Sequence, residues 1–200
     1  MQRIERLKES PSQTAGPYVH IGALPNFAGI EGVYDEDLGH RMITGAATGE
    51  RITIRGTVFD GTGAALRDAM VEIWQADAQG RYPGQDGADP AFAGWGRQAG
   101  DMETGEFAFE TVKPGPVPFR DGRLMAPHVS VWIVARGINL GLQTRLYFAD
   151  EEAANDADPI LSRIEHHDRI GTLMARPEGD RVYRFDIRLQ GEDETIFFDI

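Results

Sequence analysis

Arg136 is a candidate for binding a small anion in this 200-residue chain. It follows an apolar segment that ends at Ala135 and precedes Gly137, so we expect it at the end of a strand, beside a loop. The planar guanidinium can bind a carboxylate through two parallel hydrogen bonds. The alternative is a surface arginine that pairs with an acidic side chain and adds little stability. Because the net charge is −12, an anionic ligand would need such an arginine to reverse the local field.

The histidines are weaker candidates for a metal site. His166 and His167 have an acidic neighbour on either side. Adjacent residues of a helix point about 100° apart and grip one ion poorly, so we expect a solvated helix face. His20 and His40 stand alone in predicted loops, and structural or exposed roles are commonest for such residues.

Hydroxyl side chains give no sign of nucleophilic catalysis. Ser12, Thr14 and Ser130 could be considered, but the chain lacks the G-x-S-x-G turn that exposes the serine of α/β-hydrolases. Acyl transfer is therefore not expected.

The stretch from Thr111 to Phe148 reads TVKPGPVPFRDGRLMAPHVSVWIVARGINLGLQTRLYF. Ser10–Gly22 reads SPSQTAGPYVHIG, Val71–Asp77 reads VEIWQAD and Arg184–Ile200 reads RFDIRLQGEDETIFFDI. These ordered segments resemble the intradiol ring-cleaving dioxygenases, non-haem iron(III) enzymes that split catechols between their two hydroxyl groups. The resemblance covers nearly the whole chain, which is far more specific than a single PGP or GPY motif.

The resemblance implies four positions that hold iron in catalytic members, where two tyrosines and two histidines occupy them. In this chain the positions are Tyr82, Val117, His128 and Ser130. Catalytic members also carry an arginine three residues before the first histidine, where this chain has Met125. Two remaining donors would leave a ferric ion mostly solvated and weakly bound. We therefore expect these four to be vestigial metal-site positions, with no metal ligand and no catalytic residue in this chain.

The defective ligand set is similar to that of iron-free α subunits in this family, which pair with an iron-bearing β subunit of the same fold. The resemblance implies that this chain completes an active site on such a β subunit, where Fe(III) is bound, within a higher (αβ)n oligomer. The implied reaction cleaves protocatechuate with O2 to 3-carboxy-cis,cis-muconate. Arg136 is implied to face the β-subunit site and bind the ring carboxylate.

A second implied contribution comes from the N-terminal segment, which lines the substrate cavity in the family. The implied substrate-binding residues there are Thr14, Gly16, Pro17 and Tyr18. Glycine lets the backbone approach a ligand closely, and proline offers a rigid apolar wall. The alternative is a simple turn in an N-terminal arm.

The elements that must position these residues are mainly strands. The 24 glycines and 11 prolines suit many short strands joined by tight turns. The predicted strands are Arg51–Asp60, Met70–Trp74, Phe107–Val112, His128–Arg136, Val182–Leu189 and Thr195–Phe198. Helix-like spacing is confined to Asp150–Asn155 and Asp158–Ala175. We predict a mainly β fold, a single-domain β-sandwich with a long N-terminal arm and short peripheral helices.

Two long irregular segments interrupt this pattern, residues 11–50 and residues 75–101. Loops of this length in a compact domain are usually functional or interfacial. The first is too apolar for a solvated tail. We therefore predict that residues 1–50 form an arm and irregular segment that packs on a partner chain, and that residues 51–200 form the β-sandwich domain.

Composition excludes several classes of function. An acidic chain repels nucleic acid. No apolar run reaches the roughly 18 residues that span a bilayer, and the first ten residues lack the apolar core of a signal peptide. The absence of cysteine excludes disulfides and thiolate metal sites. A cytoplasmic protein without nucleic-acid or membrane partners is the simplest expectation.

Two other functions stay open at this point. One is an independent dioxygenase for catechol or hydroxyquinol, against which Val117 and Ser130 argue. The other is a β-sandwich binding module with no role in catalysis.

Overall fold

The structure is a computed structural model that describes residues 14–139 and 141–199. Strands account for 31% of the chain and helices for 11%, so the predicted mainly β class is confirmed. The strands are β1 (Arg51–Phe59), β2 (Met70–Gln75), β3 (Trp95–Ala99), β4 (Glu106–Val112), β5 (Val117–Pro118), β6 (Leu124–Met125), β7 (His128–Val134), β8 (Leu142–Phe148), β9 (Met174–Pro177), β10 (Val182–Arg184) and β11 (Ile187–Arg188). The helices are α1 (Pro17–Ala23), α2 (Glu152–Asp156) and two 3-10 helices, Leu161–Arg163 and His167–Leu173. Within the described ranges no helix is long and apolar enough to cross a membrane.

One nine-stranded mixed sheet forms the body of the molecule. Its hydrogen-bonded order is β11-β1-β10-β9-β8-β7-β2-β3, and β4 also pairs with β1. Strand β1 runs parallel to β10 and β11, and β8 runs parallel to β9, while the other neighbours are antiparallel. The sheet curls until β3 and β4 contact each other, which encloses one large apolar core. The small hairpin of β5 and β6 lies apart from this sheet.

Strand β7 is fully buried on one face and, apart from His128, only partly buried on the other, whereas its sequence predicts apolar packing on both. Val129, Val131 and Ile133 are buried in the main core. His128 lies on the opposite face, beside Tyr147 of β8. This outer face is covered by a second apolar cluster and by the β5–β6 hairpin. The positions that the family uses for metal binding belong to this outer face.

Several segments differ from the sequence prediction. Helix α1, which includes His20, and strand β3 lie within segments predicted to be irregular, and the strand predicted at residues 182–189 is divided into β10 and β11. Residues 158–175 form two 3-10 helices and the start of β9 instead of one helix, because the backbone turns to an extended conformation at Ile164. Residues 195–198 are not a strand. The backbone N–H of Phe198 donates a hydrogen bond to the carbonyl oxygen of Gln143 in β8, but residues 195–198 do not form a regular ladder of hydrogen bonds with that strand.

Candidate functional site

The loop that carries Tyr82 is fixed against the start of the β5–β6 hairpin. Gly80 has a φ of +76°, and a β-carbon at this position would collide with the carbonyl oxygen of Pro116. The buried Asp77 carboxylate accepts three backbone hydrogen bonds from this loop, at 2.9, 3.0 and 2.9 Å. This close packing places Tyr82 against the small apolar cluster that contains Val117.

Tyr82 lies in an apolar setting that does not favour a phenolate. Its ring stacks on Trp74, with ring centroids 5.7 Å apart and an interplanar angle of 10°. It also packs against Val117 and Met125. Burial raises the pKa of the Tyr82 hydroxyl, and the positive charge of Arg145 only partly opposes that rise. The side chain is therefore a neutral phenol at neutral pH.

His128 is a buried neutral imidazole, with 2% of its surface exposed. Its Nδ1 lies 2.8 Å from the carbonyl oxygen of Ala126, which can only accept, so the proton is on Nδ1. Nε2 is buried and has no hydrogen-bond partner among the described residues. Burial, together with the nearby charge of Arg145, lowers the pKa of His128 to about 4. The ring has an unused lone pair of the kind that could bind a metal.

The position of the second histidine ligand is taken by a short side chain and a facing arginine. Ser130 on β7 stands opposite Arg145 on β8, and opposite Trp74 on β2. Directly opposed residues of antiparallel strands project to the same face. The Nη1 atom of Arg145 lies 3.5 Å from the hydroxyl of Tyr147 and 3.6 Å from the sulfur of Met125.

The structure thus brings Tyr82, Val117, His128 and Ser130 together on the outer face of the sheet, and we call these four residues the vestigial centre. Their chemistry does not fit Fe(III). A neutral phenol, an aliphatic side chain, one imidazole and one hydroxyl do not supply the phenolate and imidazole donors of the family. No group of three or more His, Asp or Glu side chains within residues 14–139 and 141–199 is placed to hold a metal.

Arg136 lies in a different environment, at the exposed end of β7. Its side chain is 76% exposed, and its Nε lies 2.9 Å from a carboxylate oxygen of Asp68. The hydroxyl of Thr14 accepts a hydrogen bond from the backbone N–H of Gly137 at 2.9 Å and lies 3.5 Å from the carbonyl oxygen of Ala135. The N-terminal segment is therefore tied to the loop that carries Arg136.

The other predicted substrate-binding residues begin the first helix. Gly16 is the N-cap of α1, whose first residue is Pro17, and the side chain of Tyr18 is 82% exposed. A β-carbon at Gly16 would meet no described atom within 4 Å, so packing within this chain does not demand glycine there. The hydrogen bonds of the described residues join Thr14, and not Gly16 or Tyr18, to the Arg136 loop.

Two charged residues of these regions escaped the sequence analysis. Asp68 lies in a turn, and its partner Arg136 is distant in the sequence. No local sequence pattern therefore identifies this ion pair. Arg145 interrupts an apolar strand between the buried residues Thr144 and Leu146, which is a signal for a charge on the opposite face. The exposed His166 and His167 agree with the predicted solvated face.

The sequence of the chain is similar to those of known dioxygenases. A family model described as Dioxygenase matches residues 24–191. The chain is 48% identical to the protocatechuate 3,4-dioxygenase alpha chain of Pseudomonas putida, over 98% of both chains. It is 34% identical to the protocatechuate 3,4-dioxygenase beta chain of Burkholderia cepacia, over 82% of this chain and 75% of that one.

A solved structure shows the same fold at lower sequence identity. The hydroxyquinol 1,2-dioxygenase of Pseudomonas putida superposes with a TM-score of 0.61 at 22% identity, covering 92% of this chain and 68% of that one. The fold, the ordered motifs and the family match agree. The chain belongs to the family of intradiol ring-cleaving dioxygenases, which depends on non-haem iron(III).

Proposed function

We propose that this chain is the iron-free subunit of a protocatechuate 3,4-dioxygenase and completes an active site whose Fe(III) is bound by a homologous partner chain. The observation that carries the proposal is a preserved scaffold around the vestigial centre, in which Val117 and Ser130 replace two donors and Arg145 adds a cation. High identity to an alpha chain over nearly the full length supports the same assignment.

In this proposal Arg136 binds the ring carboxylate of protocatechuate. Its exposed guanidinium stands at a strand end, and Thr14 fixes the loop around it through the Gly137 backbone. Asp68 holds the side chain in the absence of substrate. Gly16, Pro17 and Tyr18 would form the wall beside it, because the same short segment continues from Thr14 into α1.

The proposed partner surface is the segment that precedes the sheet. Ten large hydrophobic residues are strongly exposed in the described part of the chain, and seven of them lie between residues 18 and 38. These seven are Tyr18, Ile21, Phe27, Ile30, Val33, Tyr34 and Leu38. Such a concentration of exposed apolar side chains is typical of an interface. It supports our proposal that residues 1–50 pack on the partner and residues 51–200 form the sandwich domain, although residues 1–13 lie outside the described ranges.

The division of labour in the reaction follows from the residues present. In the proposed assembly, Fe(III) on the partner supplies the ring-cleaving chemistry with O2, and both oxygen atoms enter the product 3-carboxy-cis,cis-muconate. This chain binds the carboxylate, orients the ring and excludes water. Fixing a substrate in a reactive orientation removes part of the entropic barrier.

Production of the chain with and without its homologous partner tests the proposal. We expect the chain alone to be colourless, without stoichiometric iron and inactive, and the mixture to form a complex that cleaves protocatechuate. Ring cleavage by the iron-loaded single chain would instead indicate an independent catechol or hydroxyquinol dioxygenase. A folded chain that forms no complex would indicate a binding module. A cytoplasmic location belongs to the same proposal and is tested by cell fractionation.

A further inference from the structure

The guanidinium of Arg145 lies where the family places its metal ligands. Arg145 projects to the same face as Ser130, its direct partner across β7 and β8. Serine is much shorter than histidine, so the position of the second imidazole is open to a long side chain. The Nη1 atom of Arg145 then reaches Tyr147 and Met125, at 3.5 and 3.6 Å. Met125 itself occupies the place of the arginine that catalytic members carry.

The charge of Arg145 acts on three titratable side chains around this point. It opposes the burial-driven rise in the pKa of Tyr82 and of Tyr147, and it contributes to the lowered pKa of His128. Tyr82 and His128 are the two retained ligand residues. The strand register agrees, because Arg145 pairs with Ser130 and therefore projects to the face of β7 that carries His128.

A negative charge also lies near the half-buried Arg145 side chain. Asp158 is fully buried, and it accepts backbone hydrogen bonds from Ala126 at 2.8 Å and from Leu161 at 2.8 Å. Its hydrogen bond to Ala126 places it two residues from His128, and its negative charge raises the pKa of both His128 and Tyr147. Asp158 therefore acts on these two side chains in the opposite sense to Arg145.

We propose that Arg145 is the resident cation of the vestigial centre and that it keeps Fe(III) out even when the missing ligands are restored. Guanidinium groups stay protonated in proteins, so this cation is permanent. A ferric ion placed within a few ångströms would meet like-charge repulsion in a poorly solvated site. The inference rests on the family's ligand positions and on the packing of this chain, and not on the proposed pairing with a partner.

Ligand restoration with and without the cation tests this inference on the full chain. The double variant Val117→Tyr/Ser130→His is compared with triple variants that add Arg145→Gln, Arg145→Met or Arg145→Lys. Arg145→Met preserves an unbranched side chain in contact with Met125, whereas Arg145→Lys preserves the charge. The matched control adds Arg123→Gln, which removes an arginine from the covering hairpin, where it pairs with Asp121. Iron per chain is measured after dialysis against a weak chelator, together with the visible absorption of iron–tyrosinate.

We expect the neutral triple variants to bind close to one Fe(III) per chain, at least fivefold more than the double variant, the Lys variant or the Arg123 control. The proposal is overturned if the double variant already binds one Fe(III) per chain. It is also overturned if the neutral triple variants fold but bind no more iron than the double variant. An electron-density map of the unsubstituted protein provides a measurement that does not depend on variant folding. Guanidinium density beside Tyr147 supports the proposal, and a solvent-filled or metal-filled space there refutes it.

Discussion

The vestigial centre and the Arg136 loop differ in burial, although the family resemblance connects both to one reaction. His128 is 2% exposed, whereas the side chain of Arg136 is 76% exposed. At the vestigial centre, Tyr82 and His128 pack within the protein, so that we expect them to serve stability. At the Arg136 loop the guanidinium is exposed and available to another molecule. The comparison teaches that two regions which the resemblance assigns to one reaction should respond differently to substitution, the first in stability and the second in specificity.

If the vestigial centre serves packing, a clash beneath it should cause the largest loss of stability. We expect Gly80→Ala to lower the free energy of unfolding by about 3–5 kcal/mol, because the added methyl group meets the Pro116 carbonyl oxygen at a positive φ. Gly84→Ala is the matched control, since Gly84 also has a positive φ but open space around it. Its cost should be about 1 kcal/mol. Urea denaturation of both variants measures the difference, and equal losses would show that the Tyr82 loop is not held against the hairpin.

The buried imidazole should make stability depend on pH. In the folded protein the pKa of His128 is about 4, below its ordinary value of 6.5. Between these two pH values, His128 is protonated in the unfolded chain but neutral in the folded one. Stability contributed by neutral His128 is therefore complete above about pH 6.5 and is lost as the pH falls towards 4, by about 3 kcal/mol in total. Unfolding free energies at a series of pH values measure this slope.

His128→Gln should flatten the dependence in that window, and His166→Gln should leave it unchanged because His166 is exposed. An unaltered slope in His128→Gln would mean that other groups control the acid sensitivity.

The Arg136 loop should show the opposite behaviour, with a loss of specificity and little loss of stability. In the assembled enzyme, Arg136→Ala should lower kcat/KM for protocatechuate by roughly ten- to a hundredfold, because a charge-assisted pair with the carboxylate is worth about 1.5–3 kcal/mol. Plain catechol lacks that carboxylate and should be affected far less. Arg136→Lys should restore only part of the loss, since an ammonium group cannot form the two-pronged pair.

Arg123→Ala is a suitable control for this experiment, because Arg123 lies outside the proposed partner surface, is also exposed and also pairs with one carboxylate, that of Asp121. Iron content should be the same in all these variants. Equal losses of kcat/KM for protocatechuate and catechol would indicate that Arg136 stabilises the assembly and does not bind the substrate carboxylate.

Sequence periodicity was sufficient for the framework. The strands near residues 51, 70, 107 and 128 follow from alternation or from continuous apolar runs, and all four occur in the structure. Strand β3 was not predicted, because its sequence WGRQA has no alternation and is held by pairing with β2. The helix expected at residues 158–175 is interrupted at Ile164, where the backbone becomes extended, and no pattern of residue types marks that break.

The candidate site was only partly accessible to sequence. The four positions of the vestigial centre could be predicted because the family resemblance identifies them in the sequence. The structure places them together. The ion pair of Arg136 with Asp68 and the contact of Arg145 with Met125 depend on how residues distant in the chain meet. Local residue patterns carry no information about such pairings, which are set by sheet register and by curvature.

The parallel pairing of β1 has a consequence for the order of folding. β1 begins at residue 51, yet two of its three partners, β10 and β11, lie beyond residue 181. Contacts of such high sequence separation form slowly, since a long loop must close before they gain any energy. During synthesis β1 can pair with β4 but must wait for nearly the whole chain to emerge before the sheet is continuous. We therefore expect a slow folder whose early β1–β4 pair has an open edge, and a dependence on chaperones that the compact native sheet does not reveal.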